Sequence, residues 1–107
     1  MAVRALIHMP RQARAGEVFE VRALIQHPME TGHRVDAGGR AVPRDLIRRF
    51  ECQFEGEPVC TIELHAAVAA NPLLSFQVRA SRSGSFVFSW SGDNGLAHRE
   101  VVTLQVA

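Results

Sequence analysis

The chain predicts an all-β fold: an immunoglobulin-like, two-sheet antiparallel β-sandwich of about seven strands. Three observations lead there. Apolar residues recur with a period of two along most of the chain, the period of a strand with one buried face. Glycine-containing turn signals separate these runs at hairpin-like intervals. No stretch sustains a helical period of 3.6. At 107 residues the chain is one domain, 1–107. A domain of this size buries roughly 65% of its unfolded surface, so neither a disulfide nor a metal is required for folding.

The elements follow in order. Ala5, Ile7 and Met9 make a short first strand, and Pro10 and Gly16 bound the link to the next. There Phe19, Val21, Ala23 and Ile25 alternate with Glu20, Arg22, Leu24 and Gln26. Residues 33–43, with Gly38-Gly39 and Pro43, form a long connection suited to crossing between sheets. Phe50, Cys52 and Phe54 then share a face, as do Cys60, Ile62 and Leu64. The Ala66–Ala70 stretch allows one helical turn before Asn71-Pro72 ends it. Leu74, Phe76, Val78 and Ala80 form a fifth alternating face, followed by Phe86, Phe88 and Trp90, and by Val102, Leu104 and Val106. Glu55-Gly56-Glu57, Arg82-Ser83-Gly84 and Gly92-Asp93-Asn94-Gly95 are expected to turn hairpins.

The formal charge of +1 argues against a general nucleic-acid binder. The charge is nevertheless polarised. Residues 1–50 carry nine arginines against five acids, and residues 51–107 carry three against six. Every basic side chain is arginine, whose donor fork and weak hydration suit interfaces. No apolar run approaches the ~18 residues of a membrane span, and the N-terminus lacks the apolar core of a signal peptide.

The cysteines allow three readings. If Gly56 centres a three-residue loop, Cys52 and Cys60 lie directly opposite each other on the inward face. Two small buried residues are the plain structural reading. A cross-strand disulfide and a reactive thiol are the sharper ones.

His27-Pro28-Met29-Glu30-Thr31-Gly32-His33 holds two histidines around a proline, with a thioether between them. His27, Met29 and His33 form a candidate metal set, and the string resembles the His-Pro-Met-x-x-x-His segment of superoxide reductases. That family adds a Cys-x-x-His pair near the C-terminus; here only His98 follows, and no cysteine lies beyond Cys60. The runner-up function is therefore a small metal-binding or redox sandwich, superoxide-reductase-like or copper-binding.

A wider resemblance covers nearly the whole chain. Arg4-Ala5-Leu6-Ile7, Gly16-Glu17-Val18-Phe19-Glu20-Val21, the HPMETG string, Pro43-Arg44, Arg49-Phe50, Ala69-Ala70-Asn71-Pro72-Leu73 and Phe86-Val87-Phe88-Ser89-Trp90 follow one another as in the SoxZ family. This family supplies the non-catalytic subunit of the sulfur-carrier complex in bacterial thiosulfate oxidation. The two cysteines lie outside that pattern. The resemblance implies a heterodimer with SoxY, whose mobile Gly-Gly-Cys-Gly-Gly tail carries sulfur intermediates between Sox enzymes. It also implies no catalytic residue and no cofactor in this chain, and transient contacts with Sox enzymes through the complex. Its location would be the periplasm, reached together with the signal-bearing partner. An isolated chain could pair with a second copy through its orphaned interface. Candidate partner contacts are His27, Met29, Glu30 and Arg44 in the loops, and Leu6 and Leu24, which break the alternation outward. Pro28, Gly32, Asn71, Pro72, Cys52 and Cys60 are expected to be structural.

Overall fold

The computed structural model describes residues 4–65 and 68–107. The described residues form eight strands: β1 (Ala5–His8), β2 (Gln12–Ala13), β3 (Val18–Ile25), β4 (Ile47–Phe54), β5 (Glu57–Glu63), β6 (Leu73–Arg79), β7 (Gly84–Gly92) and β8 (Ala97–Val106). One layer has the order β1-β3-β6 and the other β2-β8-β7-β4-β5. This is the expected immunoglobulin-like sandwich. Leucine, valine and phenylalanine at every second position give each strand one face for the space between the layers.

The strand beyond the expected seven arises at Pro10. β1 pairs antiparallel with β3, the chain bends after the buried Met9, and β2 then pairs parallel with β8 in the opposite layer. The first strand thus switches sheets. A second correction concerns Arg82-Ser83-Gly84, which joins strands of different layers and does not turn a hairpin. The physical reason lies in the side chains: Val78 and Ala80 on one side of the link, and Phe86 and Phe88 on the other, are buried in one core. Their strands face each other across it. The helical turn expected over 66–70 falls partly outside the described residues; Val68–Ala70 carry no helix, and the Val68 amide donates to His65 O at 3.0 Å.

The Glu55-Gly56 hairpin has a two-residue turn with φ of 49° and 84°, the sign a type I′ turn requires. Such a turn alone would place Cys52 opposite Val59. A register shift beyond Cys52 accommodates Val59 as an extra residue and puts Cys60 opposite Cys52 after all. β4 and β7 pair side by side and put their largest rings into the core. Phe50 and Trp90 lie there with ring centroids 5.2 Å apart, and both are almost fully buried. The sole buried side-chain polar atom without a partner among the described residues is the Trp90 indole nitrogen.

Candidate functional site

The HPMETG loop leaves the end of β3 and folds inward. His27 is only 7% exposed. Its amide donates to Asn71 Oδ1 at 2.8 Å, and the Asn71 amide donates back to His27 O at 2.7 Å. The two most distinctive strings of the sequence therefore close on each other. Asn71 does this with φ of 52°, a left-handed conformation that asparagine tolerates better than most residues. Pro72 behind it is buried. His27 Nδ1 accepts the Met29 amide at 3.0 Å, so the proton of the neutral ring sits on Nε2, which lies 3.4 Å from Asp45 Oδ1.

Met29 also has a positive φ, 51°, and its side chain is 5% exposed. Its sulfur accepts the Ile47 amide at 3.3 Å. Glu30 and Asp45 exchange both backbone hydrogen bonds at 2.8 Å, tying the loop to the start of β4. Gly32 (φ +90°) passes so close to Arg44 that an added Cβ would lie 3.2 Å from the arginine's own. A side chain there would be strained by both conformation and space. Pro28 presents its ring to solvent.

Asp93, in the 3-10 turn Asp93–Gly95, organises the other half of this end. Its carboxylate accepts the Leu46 amide at 3.0 Å and Arg48 Nε at 2.9 Å, with Arg44 Nε at 3.2 Å. The Arg48 hydrogen bond, the Leu46 amide and the two guanidinium charges hold this carboxyl below its ordinary range. Glu30 is lowered likewise, chiefly by its hydrogen bond from Arg34 at 2.6 Å. From sequence, Asp93 was legible only as a turn residue; its role as an anchor depends on two arginines about 45 positions away. An open cleft of about 700 Å³ separates the halves, with His27, Asp45, Asn71 and Asp93 on its walls.

This geometry disposes of the donors that a metal at His27, Met29 and His33 would need. Both His27 ring nitrogens face protein partners, the Met29 sulfur is turned into the core, and His33 is exposed. Among the described residues, no group of three or more histidine, cysteine or acidic side chains could hold a metal ion. The cysteines are both free thiols. Burial, helped by Cys60, pushes the Cys52 thiol up to about 12, and burial also raises Cys60. Neither carries the thiolate character that reactivity needs.

The other proposed contact positions divide. His27 and Met29 are interior, so a partner at this end would meet Pro28, Arg44 and the rim of Glu30 in their place. Leu6 and Leu24 lie on the outer face of the three-stranded layer. Cross-strand register sets Leu6 beside Leu24 and Leu24 beside Leu73. Leu6 is 64% and Leu73 57% exposed, so an apolar row crosses the whole layer on its solvent side. Leu73 was not among the contacts expected from sequence, because only the register reveals that it ends this row. The outer face of the five-stranded layer has a smaller pair, Val87 beside Val101.

Fold and site define a small immunoglobulin-like sandwich whose loop end is locked internally and whose narrow layer exposes an apolar row. The chain belongs to the SoxZ family: the family model described as "Sulphur oxidation protein SoxZ" matches residues 7–103. No curated protein matches it significantly. Among solved structures it is similar to the superoxide reductase (neelaredoxin) from Ignicoccus hospitalis, with 18% identity and a TM-score of 0.73 over 96% of this chain and 80% of that one. It is also similar to the sulfur carrier protein SoxY from Chlorobium limicola f thiosulfatophilum, with 15% identity and a TM-score of 0.66 over 96% of this chain and 78% of that one. At these identities both likenesses describe the fold.

Proposed function

We propose that this chain is the non-enzymatic scaffold subunit of a sulfur-carrier complex in thiosulfate oxidation, pairing with SoxY. The observation that carries this reading is the outward Leu6-Leu24-Leu73 row, exposed at both ends and half-buried at Leu24, on a chain of the SoxZ family. Three leucines aligned across a sheet face are costly in water; each gains about 1.5–3 kcal/mol when fully buried, which a partner surface can supply. The loop end spends its polar groups on internal bonds, which suits a rigid body more than a reaction centre. On this reading SoxY carries the sulfur on its own cysteine, and this chain supports the presentation of that cysteine to the Sox enzymes. The pair works in the periplasm, where this chain arrives with its signal-bearing partner.

The test is affinity capture of the tagged chain from its own cells grown on thiosulfate, with intact-mass analysis of what elutes. A one-to-one partner ending in Gly-Gly-Cys-Gly-Gly, with sulfur adducts on that cysteine, is the expected result. A chain that elutes alone with a stoichiometric metal would overturn the proposal and return attention to His27 and His33.

A further inference from the structure

Four strands border the two layers: β1 and β6 in one, β2 and β5 in the other. A bare edge presents unpaired N–H and C=O groups and must be shortened, broken or covered. Three of these edges are guarded. β1 has four residues before the chain bends away at Pro10, and β2 has two. β5 carries Pro58, which has no N–H, and the bulge at Val59. β6 has no such guard: Leu73–Arg79 runs seven residues in unbroken register with β3, without proline, glycine or bulge.

The ends of β6 show which backbone groups are free. The Ile25 amide donates to Pro72 O at 3.4 Å, and the Ala80 amide donates to Glu17 O at 2.8 Å. Alternate residues of an antiparallel pair exchange their bonds. Pro72, Leu74, Phe76, Val78 and Ala80 therefore turn toward β3. Leu73, Ser75, Gln77 and Arg79 aim their N–H and C=O groups at the open edge, and no loop among the described residues bonds to them.

Beside this edge the layers part. A crevice of about 280 Å³ lies between β6 and β5, lined by Phe54, Val78, Phe86 and Leu104, with Arg79 and Arg82 at its rim. The Arg82 guanidinium sits 5.3 Å over the Phe54 ring. Constant-type immunoglobulin domains fill the corresponding place with a fourth strand. Here the described residues between β5 and β6 form none.

We propose that an extended segment of the SoxY partner completes this layer as a fourth strand along β6. The inference rests on the scaffold reading and gives it a location. The free backbone groups select a strand. The crevice selects alternate apolar side chains, and its two arginines, opposed there only by Glu57, select an acidic residue at that end. The leucine row runs to this edge and stops at Leu73, so an added strand prolongs it onto the partner. A second copy of β6 fits less well, because the strand contains no acid to meet its own Arg79.

Amide exchange on the ¹⁵N-labelled chain, alone and with unlabelled SoxY, tests this. The Ser75, Gln77 and Arg79 amides should exchange faster than those of Leu74, Phe76 and Val78 in the free chain, and slow at least about tenfold in the complex. Gln77→Pro removes one outward donor where an edge tolerates proline, and should weaken SoxY binding about three- to tenfold. Gln77→Ala should leave binding unchanged. If the complex forms while Ser75 and Gln77 keep their free rates, the inference is overturned and the scaffold reading stands. If no complex forms, both fall. Protection that rises with the concentration of the isolated chain would assign the edge to a second copy and overturn the SoxY occupant.

Discussion

The loop end and the β6 edge treat their polar groups in opposite ways. At the loop end the His27 and Met29 amides, the His27 ring and the Asp93 carboxylate are all answered by residues of the same chain. Along β6, four residues have outward backbone groups that no described residue answers, next to an apolar crevice and at the end of a leucine row. The difference separates two kinds of sequence signal. A loop that must adopt positive φ at Met29 and Asn71 and a close pass at Gly32 demands particular residues, so it reads as a motif. An edge that pairs through backbone groups demands only strand formers, so it does not.

Substitutions at the loop end should therefore act mainly on folding. The largest effect is expected at Met29→Ala, which empties a buried site and removes the acceptor of the Ile47 amide. We expect a loss of about 2–5 kcal/mol in denaturant unfolding. Affinity for SoxY, measured on the folded fraction, should change little. A normal unfolding midpoint with weakened binding would return Met29 to the surface and break the contrast.

Asn71→Ala comes next, at about 1–3 kcal/mol, because the buried His27 amide loses its acceptor and a left-handed position loses asparagine. Asn71→Gly separates the two causes. It keeps the conformation and should recover only the conformational part of the loss.

These two residues also show how far the sequence could be followed. Alternation identified the strands, and the two-residue period placed Phe50, Phe88 and Trp90 in the core, because inward side chains are set by local geometry. It could not identify the sheet switch at Pro10 or the arch at Arg82-Gly84, which depend on the layer in which each strand pairs. Within the site, the HPMETG and AANP strings were visible one at a time. Their mutual hydrogen bonds span 44 positions and leave no periodic trace, so His27 read as a surface contact when it is a buried clasp.

Acid should weaken the loop end through Asp93. Its carboxyl is held below the ordinary 3.8 by Arg48, the Leu46 amide and Arg44. A depressed folded value means the group stabilises the fold above pH 3.8, and this contribution disappears as pH falls through the lower folded value. Asp93→Asn should lower the melting temperature at neutral pH and flatten its decline below about pH 4. A wild-type slope in the variant would move the acid-sensitive group elsewhere.

The smallest effect on stability belongs to the exposed row, where it makes the contrast sharpest. Leu6→Ser and Leu73→Ser together remove two side chains that are mostly in water already. The unfolding free energy should therefore stay within about 0.5 kcal/mol per site. Binding should respond differently, because a leucine gains its transfer energy only when the partner covers it. Losing even half of that from both sites weakens SoxY association by about tenfold or more, on the scale of 1.4 kcal/mol per decade. Unchanged binding would shift the interface to the opposite layer, where Val87 and Val101 are the apolar pair left to test. A large loss of stability would show that the row already packs against this chain, and the opposition between a locked end and an open layer would not hold.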